Sequence, residues 1–397
     1  MRVLHIISSS GMYGAEAVIL NLSRFLNAGA HFSMLGVFSN SSAPNHQLHE
    51  RAVKEGIESY LIPCKGQVDR TTIANIRELA DRTGADVVHA HGYKADIYVY
   101  LALRGSGIPF VSTCHTWYDN DLSVFLYGVA DRVVLRKFVR VVGVSDEVRR
   151  RLLKAGIREE KIRTVRNGID LCPFDDAVPS LREVSTSDRT LIVGLIGRLS
   201  WEKGIDIFLR AAARVLAAFP GVKFVVVGEG PDRDKLELLI DELKIRENTS
   251  MLGRREDMPS IYASLDVMVS ASRQEGLPMA ILEGMASGLP LVATAVGEVP
   301  TVVMNDRTGL LVPPEDIDSL AAGIRDLLQD STKRLRFSAA AKQLIKEEYS
   351  AERMTADYLR VYAEAIPALK IGKGKPVESA AAHHSTHRDS RHQGNVK

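Results

Sequence analysis

Short β-branched runs alternate with longer amphipathic segments along nearly the whole chain. The first run, 3–7, precedes a helical pattern over 15–26 that aligns Val18, Leu22, Phe25 and Leu26 on one face. Further runs follow at 86–89, 110–113, 139–142, 191–196, 223–227, 267–269 and 291–293. Amphipathic stretches such as 148–155, 205–219 and 278–287 lie between them. Runs this continuously apolar predict parallel strands buried on both faces, with helices as the covers. The predicted class is α/β, built from doubly wound parallel sheets.

The alternation stops at 171–190. That stretch, LCPFDDAVPSLREVSTSDRT, is rich in Pro, Ser, Thr and Asp and has no clear period, so it predicts a linker. A chain of 397 residues exceeds what one core usually supports, which also argues for two domains. The expected division is 1–184 and 185–349, the first completed by a returning helix at about 350–367. Residues 371–397 contain almost no large apolar side chains and predict a disordered tail. Its histidines, His383, His384, His387 and His392, lack a fixed ligand geometry.

Composition narrows the function. Apolar residues make up 45% and charged residues 25%, ordinary globular values. Lys plus Arg number 51 against 49 Asp plus Glu, so no overall charge argues for nucleic-acid binding. One region departs from that balance. Residues 132–166 hold twelve cations against Asp146, Glu147, Glu159 and Glu160, which fits either a solvated face or contact with an anionic membrane. Cys64, Cys114 and Cys172 are too few and scattered for a disulfide framework, and read as free thiols in the cytoplasm. No run reaches the length of a membrane span, so any membrane contact is peripheral, at the inner face.

Candidate chemistry collects where strands turn into helices. The first run ends in Ser8-Ser9-Ser10-Gly11-Met12-Tyr13-Gly14, where Gly14 permits close approach of an anion to a helix start. The glycine fingerprint of dinucleotide enzymes is absent. In the second half, Arg198 and Lys203 flank another strand–turn–helix and read either as solvated cations or as a pair for one diphosphate. Glu275 and Glu283 stand eight positions apart, the first in a loop and the second in the following helix. Carboxylates so placed suit sugar and ribose hydroxyls, with helix-start N–H groups between them for phosphates. Asp316-Ile317-Asp318 spells a metal motif, but its place at an acidic helix start makes it a cap. His89-Ala90-His91 invites a zinc reading. With no cysteine or carboxylate at matching spacing, ordinary polar groups are preferred to metal ligands.

Taken together, Gly14-Ala15-Glu16, Arg198 with Lys203, and Glu275-Gly276-Leu277-Pro278-Met279-Ala280-Ile281-Leu282-Glu283 resemble the retaining glycosyltransferases of family four. Supporting stretches are Arg166-Asn167-Gly168-Ile169-Asp170, Val227-Gly228-Glu229-Gly230-Pro231 and Gly309-Leu310-Leu311-Val312-Pro313. The resemblance spans residues 3–362 and departs at Tyr13, where a second glycine is usual. It implies the GT-B architecture, two Rossmann-like domains facing across a cleft. It also implies transfer of a sugar from a nucleotide-diphosphate sugar to an acceptor hydroxyl, with retention and without a metal or cofactor.

Carried over by position, Gly14 binds donor phosphates, and Arg198 with Lys203 neutralises the diphosphate. Glu275 holds donor-sugar hydroxyls beside the N–H groups of Gly276, Leu277 and Met279, with Pro278 among them. Glu283 holds the ribose, and Arg254 lines the base pocket. His115 positions charge near the anomeric carbon, so His115, Glu275, Arg198 and Lys203 form the expected catalytic set. His89, His91, Tyr93, Trp117 and Tyr118 are expected around the acceptor. A UDP-sugar is the favoured donor, a GDP-sugar the second, and the acceptor is a glycan or a lipid-linked molecule of polysaccharide or glycolipid synthesis. A nucleotide-sugar epimerase of the same fold and a non-catalytic glycan-binding scaffold are the alternatives.

Overall fold

The computed structural model describes residues 1–9, 11–12, 14–40, 45–65, 69–115, 131–181 and 190–366. Trp117, Tyr118, Tyr13 and the tail 371–397 lie outside them, as does 182–189 of the expected linker.

Two parallel sheets organise the chain. The first comprises β1 (Arg2–Ile7), β2 (Phe32–Asn40), β3 (Glu58–Cys64), β4 (Val87–His91), β5 (Phe110–Cys114), β6 (Arg140–Gly143) and β7 (Ile162–Thr164), in the order β3-β2-β1-β4-β5-β6-β7. The second comprises β8 (Ile192–Ile196), β9 (Lys223–Val227), β10 (Thr249–Gly253), β11 (Val267–Ser270), β12 (Leu291–Thr294) and β13 (Gly309–Val312), in the order β10-β9-β8-β11-β12-β13. Each order runs outward from its first strand in both directions, which is the doubly wound arrangement. The architecture is GT-B. As the apolar runs predicted, β4, β5 and β11 are buried along their whole length.

The helices cover the faces as expected. Helix α1 (Gly14–Ala28) buries Val18, Leu22 and Leu26 against the first sheet. Further helices that matter below are α2 (Tyr93–Leu103), α3 (Asp146–Lys154), α4 (Ile205–Leu216), α5 (Met258–Ser264), α6 (Met279–Ala286), α7 (Ile317–Gln329) and α8 (Ala351–Ala365). Ser350 caps α8 by accepting from the Arg353 N–H. Its apolar stripe, Met354, Tyr358, Val361 and Tyr362, packs with Val3, Val87, Val111 and Val142 on the face that α1 shares. The last helix therefore belongs physically to the first sheet, although its sequence follows the second.

The outward crossing differs from the expectation. Phe174 already packs on Tyr262 of α5 at 6.0 Å, and the N–H groups of Ser180 and Leu181 donate to Ser264 Oγ. The chain has left the first sheet by Ile169, earlier than the expected boundary at 184. Hydrogen bonds to α5, invisible in a Pro/Ser-rich stretch, hold the segment on the second half.

Candidate active site

In a sheet of this order the strands at the turning point send their connections to opposite faces, which opens a crevice at their C-terminal ends. The turning points are β1/β4 in the first sheet and β8/β11 in the second. Every described residue of the expected donor set except Arg254 lies on or just after one of these strands, or in the helix that follows.

In the second sheet, the turn after β8 carries Arg198 and Lys203, and the loop after β11 carries Glu275. Lys203 Nζ forms an ion pair with Glu275 Oε1, and Ser272 Oγ donates to the same oxygen at 2.8 Å. The cation expected at the diphosphate and the carboxylate expected at the sugar are thus in direct contact. Gly204, at φ 62°, locks the two loops together, because a Cβ there would overlap the Ala271 carbonyl oxygen. Ile196, Lys203, Ser270, Ser272, Glu275 and Pro278 line the pocket between them. Arg198 is exposed beside it.

Pro278 stands at the N-cap of α6, whose first N–H groups have no partner within the helix and open beside Glu275. One helical turn further, Tyr262 of α5 donates to Glu283 Oε2 at 2.8 Å. Desolvation raises the Glu283 pKa, and burial pushes the Tyr262 phenol well up. One carboxylate oxygen is therefore held, while Oε1 has no hydrogen-bond donor among the described residues. Arg254 follows the edge strand β10 and is exposed.

The first sheet meets this site at Gly14. A Cβ on Gly14 would lie 3.6 Å from Met279 Cγ, so the start of α1 faces the start of α6. A second contact ties the halves: Glu147 N–H, in the first turn of α3, donates to Glu298 Oε1 at 3.1 Å.

Register builds a histidine cluster at the first turning point. His5 of β1 pairs with His89 of β4, and His91 of β4 pairs with Thr113 of β5. Side chains two apart share a face, so His5, His89, His91, Thr113 and His115 all project to the side that α1 and α8 cover. His5 Nδ1 lies 3.0 Å from His91 Nε2, and His91 Nδ1 lies 3.1 Å from His115 Nε2. His89 is held separately, between Tyr362 Oη at 2.8 Å and Thr113 Oγ1 at 2.7 Å. Burial lowers the His5 pKa to about 3 and the His115 pKa to about 4, and pulls His89 and His91 well below the usual range.

Residues 12–172 match the profile of Glycosyltransferase Family 4, and residues 179–344 match Glycosyl transferases group 1. The chain belongs to glycosyltransferase family 4.

Among curated relatives, the phosphatidyl-myo-inositol mannosyltransferase of Mycolicibacterium smegmatis is 28% identical over 88% of this chain and 89% of its own length. The N-acetyl-alpha-D-glucosaminyl L-malate synthase of Bacillus anthracis is 25% identical over 88% and 91%. A glycosyltransferase from Rickettsia africae shares the fold, with a TM-score of 0.80 at 21% identity over 92% of this chain and 99% of that one. The Anabaena protein HepE, solved with UDP and glucose, gives 0.78 at 20% identity over 91% and 99%.

For this glycosyltransferase the structure corrects one expected position. His89 cannot present its ring to an acceptor, because it is completely buried and both nitrogens are taken by Tyr362 and Thr113. His91, also buried, reaches the cleft only through His115. Tyr93 does sit exposed at the start of α2. The ring nitrogens of His5, His89 and His91 that could serve as ligands lie within 4.8 Å of one another, but five of the six nitrogens on these rings already have hydrogen-bond partners. Asp316 caps α7 through the Ser319 N–H, and Asp318 pairs with Arg214, so the D-x-D sequence is structural.

Tyr262, Ser272 and His5 escaped the reading of the transferase's sequence. Tyr262 lies 21 residues before its partner Glu283, on another helix, and nothing local marks it. His5 stood inside an apolar strand as a lone polar residue. The basic segment is also more neutral than its sequence suggests. Arg140 and Arg163 share Glu364 of α8, Arg150 and Arg151 share Glu147, and Arg166 reaches Glu348. Of its cations, Lys137 and Lys154 are exposed and form no ion pair among the described residues.

Proposed function

We propose that this glycosyltransferase moves a sugar from a nucleotide-diphosphate sugar to an acceptor hydroxyl with retention of configuration and without a metal ion. The ion pair of Lys203 with Glu275, set against the open N-terminus of α6 and facing Gly14, carries this reading. In it the diphosphate lies between the α1 and α6 helix starts, where N–H groups and Lys203 stabilise the charge that develops on the leaving group. Arg198 folds over from the exposed side. Glu275 holds sugar hydroxyls, Glu283 Oε1 holds the ribose, and Arg254 borders the base.

The bond from the anomeric carbon to phosphate breaks as the bond to the acceptor oxygen forms on the same face. The acceptor proton passes to the departing phosphate. The protein supplies orientation and charge stabilisation, and no side chain serves as a covalent nucleophile. UDP is the favoured nucleotide; HepE, of the same fold, was solved with it. The acceptor is a glycan or a lipid-linked molecule, in keeping with relatives such as the inositol-lipid mannosyltransferase. Any contact with anionic lipid rests on the few unpaired cations of 132–166.

The deciding experiment is a panel of UDP- and GDP-sugars assayed for nucleotide release, with and without glycan and lipid acceptors. Acceptor-dependent release, with the anomeric configuration kept in the product, is expected. Epimerised donor without any acceptor would overturn the assignment.

A further inference from the structure

Three rings, His5, His91 and His115, form a chain through two nitrogen–nitrogen contacts of 3.0 and 3.1 Å. At each end one nitrogen, His5 Nε2 and His115 Nδ1, is buried and has no hydrogen-bond partner among the described residues. Three neutral imidazoles carry three N–H protons, and the two contacts consume two of them. The third must appear at one end. If every ring donates toward His115, all three are protonated on Nδ1 and His115 Nδ1 carries the spare N–H. If every ring donates toward His5, all three are protonated on Nε2 and His5 Nε2 carries it.

The ends are not equivalent. His5 sits in the middle of β1, wholly enclosed, with no oxygen to receive a proton from Nε2. Buried N–H groups without an acceptor are rarer in proteins than buried acceptors without a donor. His115 Nδ1 is covered as well, but His115 follows β5 at the crevice and is part-exposed as a residue. Its ring can therefore meet water or a bound ligand, whereas His5, at 0% exposure, cannot. We propose that His5 and His91 are positioning residues that fix His115 as the Nδ1–H tautomer, so that it presents an N–H donor to an oxygen of the bound donor sugar or its phosphate. His89 is outside the chain and supports it by packing, with ring centroids 4.1 Å from His91 and 5.1 Å from His5. The ligand contact rests on the donor position proposed above, whereas the tautomers depend on the three rings alone.

Nitrogen NMR of the full-length protein labelled with 15N-histidine, assigned through single histidine variants, reads the tautomers without any ligand. Nδ1–H is expected at His5, His91 and His115 together, and Nε2–H at His115 would overturn the proposal. His91→Phe should release His115 to the Nε2–H form preferred by free histidine. His91→Asn, whose amide nitrogen occupies the place of Nδ1, should keep it as Nδ1–H. In turnover, His91→Phe should raise the donor KM about tenfold, the worth of one hydrogen bond, and His91→Asn should stay within about threefold of the parent. A purely structural role would not separate these two folded variants, and equal effects would sink the positioning role. Nδ1–H at all three rings with an unchanged KM in His91→Phe would overturn the ligand contact at His115 and leave the rest of the donor site standing.

Discussion

Ile169 and Ser350 form a parallel β-bridge at the point where the chain leaves the first half and returns to it. The Ile169 N–H donates to the Tyr349 carbonyl at 2.9 Å, and the Ala351 N–H donates to the Ile169 carbonyl at 2.8 Å. Gly168 next to it is so close to Ser350 and Met354 that a Cβ would overlap both. The two crossings are therefore one hydrogen-bonded hinge; further contacts between the halves include Arg166–Glu348 beside it and, across the crevice, Gly14–Met279 and Glu147–Glu298.

This hinge predicts closure around the donor. Saturating nucleotide should lower the radius of gyration in small-angle scattering, and an identical profile would count against it. Gly168→Val should obstruct the hinge and destabilise the fold by on the order of 1–3 kcal/mol through overpacking, read as a lower midpoint in thermal melts.

Removal of α8 should be severe. Met354, Tyr358, Val361 and Tyr362 are each at least 97% buried on the first sheet. At about 1.5–3 kcal/mol for each large apolar side chain, their loss is comparable to the whole stability of a domain. Truncation before Ser350 should leave the first half unfolded by circular dichroism, while truncation after Lys370 should not change the melt.

The two glutamates should fail differently. Glu283→Gln weakens a charge-assisted contact to the ribose and should reduce free-nucleotide affinity about tenfold or more by calorimetry. Glu275→Gln releases Lys203 from its ion pair, so nucleotide binding should hold or tighten while turnover falls about a hundredfold. Equal loss of nucleotide affinity in both variants would contradict this division.

Excess chelator should leave turnover largely intact, since Arg198, Lys203 and two helix starts take the charge of the diphosphate. Loss of activity restored by Mg²⁺ or Mn²⁺ would refute that.

Stability should fall toward acid. The folded pKa values of His5, His89, His91 and His115 lie below that of an unfolded histidine, about 6.5, so their contribution is complete above that pH and is lost as pH falls toward 4 and below. Asp96 and Asp131 act with the opposite sign. Desolvation pushes Asp131 up to about 7 and Asp96 well above the usual range. Their contribution is full below about pH 4 and is lost as pH rises from there through 7, partly offsetting the histidines at acid pH and leaving a decline above neutrality. Denaturant midpoints at pH 5, 6.5 and 8.5 should peak in the middle, and a midpoint at pH 5 equal to that at 6.5 would refute the acid limb.

The α/β alternation, the strand-end loops and the Glu275–Glu283 element were legible in the chain because each depends on residues close in sequence. A buried parallel strand must be continuously apolar, and a helix start that binds an anion must carry its glycine or proline locally. The spacing of eight residues likewise places both glutamates near the start of one helix. Contacts that depend on strand order and register had no such trace. Whether His91 faces an acceptor or a second histidine depends on β1 lying beside β4 with His5 opposite His89. That arrangement brings residues 86 positions apart to 3.0 Å. The hold of Tyr262 on Glu283 needs α5 packed beside α6, and the neutralisation of Arg140 and Arg163 needs Glu364 brought back by α8. Local chemistry thus determined which groups the site could use. Only the tertiary fold, by desolvating some of them and pairing others, decided which remain free to meet a substrate.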